Sequence, residues 1–226
     1  MLQNRLRVIV DCIDNAHTVA DIGCDHGYVA KSLIDEGRAR RVVACDISEK
    51  SLEKATQLIK HAGLEQAVET RRGDGLAPLE SGEADVLVIA GVGGLLIEKI
   101  LARDMEKARR ARGLVLSPNN NEAKLRRFLA ENGFVVTDEK LALEDRRYYQ
   151  VICAVDGDAR PETDDFYYYV GRRLIENKDE NLDGFLCKEI ARLDGIIENA
   201  ALAKDTNHVE ALRARKKRMA EVLECL

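Results

Sequence analysis

The stretch Thr18-Val-Ala-Asp-Ile-Gly-Cys-Asp-His-Gly-Tyr28 constrains the fold more than any other part of the chain. A short apolar run stops at Gly23, and helical spacing of apolar residues begins after Gly27. That pattern spells a strand, a tight turn and a helix start. The two glycines let the backbone turn sharply and approach a ligand, while the first helical turn offers N–H groups without partners. The dinucleotide form of such a turn reads G-x-G-x-x-G, its second glycine admitting a pyrophosphate. Here that position is Asp25. A carboxylate against a pyrophosphate is repelled by several kcal/mol in a partly buried site, which disfavours NAD, FAD and ATP. S-adenosylmethionine carries no phosphate but has a sulfonium and an ammonium group, so Asp21 and Asp25 suit it in sign. The alternative is an ordinary βα turn in which Asp25 merely caps the helix.

The pattern then repeats. Tyr28 to Glu36 reads as a helix ended by Gly37, and Arg41-Val-Val-Ala-Cys-Asp46 as a buried strand closing in an acid. An acid at that point of a βαβ unit can hydrogen-bond the ribose hydroxyls of a cofactor, although Asp46 can equally open the next helix with Ser48. A helix from Ser48 to His61 and a strand from Ala67 to Arg72 lead into Gly73-Asp-Gly75, presenting Asp74 to an adenine amino group or in a plain Asp-Gly turn. Asp85 to Ala90 is a continuous apolar strand ending in Gly91-Val-Gly-Gly94, and Leu114-Val-Leu-Ser-Pro-Asn-Asn120 repeats the strand-to-loop design. A helix from Glu122 to Asn132 follows. Alternating segments from Phe134 to Leu143 and from Tyr148 to Val155, joined by Glu144-Asp-Arg-Arg147, predict an antiparallel hairpin. Ahead of all this, residues 2 to 15 space Leu2, Leu6, Ile9, Val10 and Ile13 as a helix covering a sheet edge. The sum is an α/β fold: a seven-stranded, mainly parallel sheet with helices on both faces.

Beyond the polar stretch Asp156-Gly-Asp-Ala-Arg-Pro161 no strand pattern appears. Apolar residues recur at helical spacing from Phe166 to Leu223, with a break at Asp205-Thr-Asn207, so the last two helices are expected to fold back as an antiparallel pair. Residues 1–157 and 158–226 are read as two domains, and the sheet is expected to fold without the helical tail. The formal net charge of −5 excludes a globally basic nucleic-acid binder, so any RNA contact must be local. Arg172 with Arg173, and the run Arg213 to Arg218, supply such patches. The six cysteines are scattered without metal-ligand spacing and read as reduced, mostly buried thiols, and no metal is expected. No segment reaches the length of a membrane helix and no signal peptide is seen, which predicts a cytoplasmic protein. The charges outline no dimer face, and a monomer is expected.

Together these motifs resemble the bacterial tRNA (adenine-22-N1)-methyltransferase family of the TrmK type. The resemblance rests on Asp21-Ile-Gly-x-Asp-His-Gly-Tyr28, Gly73-Asp-Gly-Leu76, Ala90-Gly-x-Gly-Gly94, Pro118-Asn-Asn120 and the tyrosine pair opening the last strand. It implies a class I, Rossmann-like methyltransferase domain followed by an all-α coiled-coil domain, with S-adenosylmethionine as cofactor and tRNA as partner. On that footing Asp21, Gly23, Asp25, His26, Gly27, Tyr28, Asp46, Ile47, Asp74, Gly75, Ala90 and Gly91 hold the cofactor. Gly91, Gly93, Asn119 and Asn120 face the adenine, the two amides accepting its amino proton and donating to a ring nitrogen. The asparagines can also be read as caps of the following helix. Tyr148 or Tyr149 is expected to stack on a base, alternation putting one of the pair in the core, and Tyr149 is the one assigned to substrate. Arg172, Arg173, Arg215 and Lys216 are expected to meet phosphates. Two other readings stay open: a methyltransferase acting on another RNA, a protein or a small molecule, and a non-catalytic cofactor-binding protein.

Overall fold

The structure, a computed structural model, describes residues 4–202 and 206–226, with the side chains of 201 and 202 left aside. Leu2 of the first expected helix and Asp205 of the expected break lie outside the described residues. The chain opens with α1 (Asn4–Asp11), β1 (Ala16–Ile22), α2 (Tyr28–Asp35), β2 (Ala39–Asp46), α3 (Glu49–Ala62) and β3 (Val68–Arg72). It continues with β4 (Val86–Ala90), α4 (Gly94–Arg103), α5 (Met105–Arg110), β5 (Gly113–Ser117) and α6 (Glu122–Glu131). The hairpin β6 (Phe134–Glu144) and β7 (Arg147–Asp156) follows, then α7 (Phe166–Val170), α8 (Arg172–Glu176), α9 (Leu182–Leu202) and α10 (Thr206–Glu224).

The seven strands pair in the order β3-β2-β1-β4-β5-β7-β6, with β7 antiparallel to both of its neighbours and the rest parallel. Side chains alternate between faces along a strand, and this sorts the apolar runs into two cores. Ala20, Ile22, Val43, Cys45, Leu87, Ile89, Leu114 and Leu116 pack with α4, α5 and α6. Val19, Val42, Ala44, Val86, Val88 and Val115 pack with α1, α2 and α3. Continuous apolar strands are what a sheet covered on both sides demands. Strand order reverses between β1 and β4, which opens a crevice at the carboxyl ends of the strands, where such sheets bind ligands.

The hairpin turns more tightly than its charged sequence predicts. Asp145 and Arg146 both have positive φ (47° and 62°), and Glu144 pairs with Arg147, so the loop is two residues and not four. An irregularity between Val136 and Asp138 shifts the β6 register. Beyond it lie Glu139 and Leu141, both buried.

The C-terminal helices are joined to this hairpin by a third core. Leu141 packs with Phe166, Val170, Leu174, Leu182, Phe185 and Leu186, and Tyr148 lies against the same cluster. Beside it Arg126 of α6 donates to Glu139 at 2.5 Å, to Gln150, and to the Tyr168 carbonyl at 3.0 Å. The backbone N–H of Arg173 donates to the other Glu139 oxygen at 3.0 Å. Arg126, Glu139 and Gln150 are all buried. The tail is thus built onto the hairpin through an apolar core and a buried polar network. It covers Leu141 and supplies two backbone partners of this buried ion pair, the Tyr168 carbonyl and the Arg173 N–H. The cysteine expectation also changes in part: all six thiols are free, but only Cys24 and Cys45 are buried, Cys12 and Cys153 are half-buried, and Cys187 and Cys225 are exposed.

Candidate active site

The turn after β1 is built as its glycines require. Gly23 and Gly27 have φ of 77° and 75°, and Asp25 between them also sits in the left-handed region at 42°, which Asp tolerates better than most residues. A Cβ on Gly23 would meet nothing within 4 Å, so its backbone borders open space. The Gly23 and Cys24 N–H groups donate to the Cys45 carbonyl at 2.8 and 3.0 Å, tying the turn to the end of β2. Asp25 does not cap α2, whose N-cap is Gly27 with no side-chain bond. Its carboxylate accepts from His26 Nδ1 at 2.6 Å and lies 4.0 Å from Lys54, while His26 stacks on Tyr28 with centroids 5.6 Å apart.

Two acids converge beneath this turn. Asp46 accepts from the Asp25 N–H at 3.2 Å and the Ser48 N–H at 2.8 Å, so the β2 acid holds both loops. Ser48 caps α3 without help from Asp46, its Oγ accepting from Ser51. Asp21 is buried, and its Oδ2 is, among the described residues, the buried side-chain polar atom that lacks a hydrogen-bond partner. Burial, reinforced by the charge of Asp46, pushes the Asp21 carboxyl up to about 7. An unpartnered buried carboxylate beneath a ligand-type turn calls for a cationic or hydrogen-bond-donating group. Ile47 and Tyr28 add exposed apolar surface at the same edge, 64% and 47% exposed. Asp74 is gripped at Oδ2 by Arg103 at 2.6 Å, a partner no spacing in the sequence announces. Gly75 has φ of 59° and packs against Arg103 and Ile100 of α4.

The loops after β4 and β5 form the other half of the crevice. Ala90 ends β4 opposite Ser117. Gly91, with φ of 81°, would direct a Cβ into open space, whereas one on Gly93 would strike Asn120 Oδ1 at 2.8 Å. The Gly94 N–H donates to the Asn120 carbonyl at 2.9 Å, and the Asn119 N–H to that of Val92 at 2.8 Å. The two asparagines then part company. The Asn119 amide is consumed within the protein, Oδ1 accepting from Arg5 at 3.0 Å and Nδ2 donating to the Gly91 carbonyl at 2.5 Å. Asn120 is exposed, with a single side-chain bond, from Asn121 Nδ2 to its Oδ1 at 2.7 Å. The N-cap of α6 is Asn121, again without a side-chain bond, so neither Asn119 nor Asn120 is a cap.

A cleft of about 910 Å³ runs from Asn119–Asn121 across the hairpin tip to α9 and α10. Seven Lys and Arg line it against three Asp and Glu, a local reversal of the chain's negative sign. Arg215 is in its wall, lying over the Tyr169 ring at 3.2 Å. Lys216 instead pairs with Asp194 across the two last helices. Arg172 and Arg173 do not reach this cleft: Arg172 pairs with Glu162 and lies 3.7 Å over Tyr167, and Arg173 pairs with Glu176 at 2.8 Å. They line a separate hollow of about 370 Å³. Tyr149 is covered by two guanidinium groups, Arg5 at 4.5 Å and Arg147 at 4.8 Å. It is Tyr148 that lines the cleft, edge-on to Phe185. Arg5, Arg103 and Arg147 escaped sequence reasoning because each acts on a residue far along the chain.

This sheet order, with an acid under the first turn and another ending the second strand, defines a class I methyltransferase, and residues 2–152 match the family described as Methyltransferase domain. Across its whole length the chain is 30% identical to the tRNA (adenine(22)-N(1))-methyltransferase of Bacillus subtilis, covering 95% of that protein. The crystal structure of the B. subtilis m1A22 tRNA methyltransferase TrmK superposes with a TM-score of 0.86 at 28% identity, covering 99% of both chains. A Streptococcus pneumoniae protein solved in complex with S-adenosyl-L-methionine superposes at 0.87 and 25% identity, over 99% of this chain and 100% of that one. The chain belongs to the tRNA (adenine(22)-N(1))-methyltransferase family.

Proposed function

We propose that this protein transfers the methyl group of S-adenosylmethionine to N1 of adenine 22 in tRNA. The observation that carries the reading is the end-to-end relation to the B. subtilis enzyme, which includes the C-terminal helices as well as the sheet. The crevice fits the cofactor independently: an unpartnered buried carboxylate at Asp21, bare backbone at Gly23 and Gly91, and apolar cover from Tyr28 and Ile47. When bound, S-adenosylmethionine supplies an electrophilic methyl group on sulfur. Asp21 would meet its cationic end, Asp46 its ribose hydroxyls, and Asp74 its adenine through the oxygen that Arg103 leaves clear.

The substrate adenine attacks with a ring nitrogen on its pairing edge, so it must be unpaired or extruded from its stem. Asn120 can accept the amino proton through its second carbonyl lone pair and donate through its amide hydrogens. The protein's task is to orient and to exclude water, worth about 7–11 kcal/mol in well-oriented systems. We assign residues 1–157 to the methyltransferase domain and 158–226 to a helical domain whose α9 and α10 form an antiparallel coiled-coil pair. The Lys216–Asp194 contact and the apolar residues Leu193, Leu212 and Met219 support that pairing. The basic cleft, with Arg146, Arg147, Lys188 and Arg215, is assigned to tRNA phosphates, and the enzyme to the cytoplasm. Mass spectrometry of nucleosides from unmodified tRNA incubated with enzyme and S-adenosylmethionine tests the reading, and absence of N1-methyladenosine refutes it.

A further inference from the structure

We infer that Arg5 is a positioning residue for methyl transfer, locking the loops after β4 and β5 into one platform and leaving Asn120 as the amide that meets the adenine. The inference rests on the tRNA methylation reading and adds to it a residue on α1, far in sequence from both loops. All three guanidinium nitrogens of Arg5 are committed there. Nε donates to Ser117 Oγ at 3.1 Å, Nη2 to the Ser117 carbonyl at 2.7 Å, and Nη1 to Asn119 Oδ1 at 3.0 Å. An arginine can only donate, so the Asn119 atom facing it must be the oxygen, and the amide nitrogen is left pointing at the Gly91 carbonyl.

The lock extends into both loops. The Ser117 carbonyl that Arg5 holds also accepts from the Gly91 N–H at 3.2 Å, and Asn119 reaches Val92 through its own N–H. Asn120 follows directly, its carbonyl pinned by the Gly94 N–H. From the other side Arg147 donates to the Asn119 carbonyl at 2.6 Å, and the Tyr149 ring lies under both guanidinium groups. Ser117 is fully buried, so Arg5 satisfies a hydroxyl that water does not reach. Burial lowers the Arg5 pKa from its ordinary value, and the Tyr149 and Glu144 charges oppose that shift.

Arg5 is not what holds α1 in place. Ile9, Val10 and Ile13 bury that helix in the second core, Arg7 pairs with Asp11 and Glu36, and Asn4 donates to the Leu143 carbonyl at 2.8 Å. Losing the guanidinium should therefore loosen the platform without unfolding the protein. The side-chain bonds of Arg5 all go to Ser117 and Asn119 and none to Asp21, Asp46 or the Gly23–Gly27 turn. Only Gly91 joins the lock to the cofactor crevice, so cofactor affinity should fall far less than turnover.

The test compares Arg5→Ala and Arg5→Lys with the wild type by tRNA methylation kinetics, cofactor calorimetry and amide hydrogen exchange. A displacement of about 1 Å at a reacting centre can cost on the order of a hundredfold in rate. We expect Arg5→Ala to lower kcat by about ten- to a hundredfold while KM for tRNA stays within about twofold and cofactor affinity falls by no more than about threefold, the share that Gly91 carries. Arg5→Lys should remain impaired, because one ammonium cannot reproduce the planar fork toward three acceptors. Added guanidinium ion should restore part of the Arg5→Ala rate, and the Arg5→Ala, Asn119→Ala double variant should lose little beyond Arg5→Ala alone. A kcat within about twofold of wild type overturns the inference, as does a matching loss of cofactor affinity and melting temperature, which would mark a merely structural role. If the wild type fails to methylate tRNA, the functional reading falls by itself. The exchange data then decide: faster exchange at Gly91, Gly94 and Asn119 in Arg5→Ala upholds the lock, and unchanged protection overturns it.

Discussion

Replacing Asp21 with asparagine should make the ligand-free protein more stable and a worse binder of S-adenosylmethionine, with both effects depending on pH. The Asp21 carboxyl is fully buried with an unpartnered oxygen and titrates at about 7 against an ordinary 3.8, chiefly from burial and secondarily from Asp46. At about 1.36 kcal/mol per pH unit that rise amounts to about 4 kcal/mol, an upper figure for a buried acid. The folded value lies above the unfolded one, so the native protein keeps a proton that the unfolded chain releases between about pH 4 and 7. Stability supplied by the protonated acid is complete below about pH 4, falls as pH rises, and is lost above about 7. Asparagine is nearly isosteric and does not titrate. Asp21→Asn and wild type should therefore have similar pH slopes outside this window and diverge within it, the variant ahead by up to about 4 kcal/mol at about pH 8. Urea unfolding of the ligand-free proteins at about pH 5, 6, 7 and 8 measures this directly. Calorimetry in the same buffers should show wild-type cofactor affinity rising by about tenfold from about pH 6 to 8 as the carboxylate ionises, and a weak, pH-flat variant. Identical pH dependence of stability in the two proteins would refute the burial argument. Unchanged cofactor affinity in the variant would place the cationic end of the ligand elsewhere.

Asp46→Ala removes the acceptor shared by the Asp25 and Ser48 N–H groups and should weaken cofactor binding by about 1.5–3 kcal/mol, measured by calorimetry on folded protein. Asn120→Ala should lower turnover on tRNA with cofactor affinity nearly intact, and normal turnover would hand recognition of the adenine to backbone groups around Gly91. Arg126→Met leaves Glu139 buried without its ion partner and should cost about 3–5 kcal/mol in urea unfolding. A chain ending near Asp158 should melt below the full-length protein and bind tRNA with a flatter salt dependence, by somewhat under one unit of slope for each phosphate that the tail would have neutralised. An unchanged melting temperature would show that the Arg126–Glu139 junction contributes nothing.

The alternation of strands and helices, the turn at Gly23 to Gly27 and the acids closing the strands were legible in the sequence, because they follow from local rules. Apolar periodicity, the conformational freedom of glycine and the sign of a charge act over a few residues and need no partner from afar. They reach as far as a seven-stranded sheet and the acids at its carboxyl edge. Which side chains remain available to a ligand is a different matter, settled by groups brought from elsewhere in the chain. Asn119 and Asn120 are chemically identical neighbours, yet Arg5, 114 residues earlier, occupies the first and spares the second. Tyr148 and Tyr149 are likewise separated by Phe185 on one and by two arginines on the other. Arg172 and Arg173 are a bare basic pair in sequence, but each meets a glutamate, Glu162 and Glu176, once α7 and α8 pack on the hairpin. The elements of this protein are local in origin. The occupancy of its hydrogen-bonding groups is decided by tertiary contact, because donors and acceptors pair by position in space and not by distance along the chain.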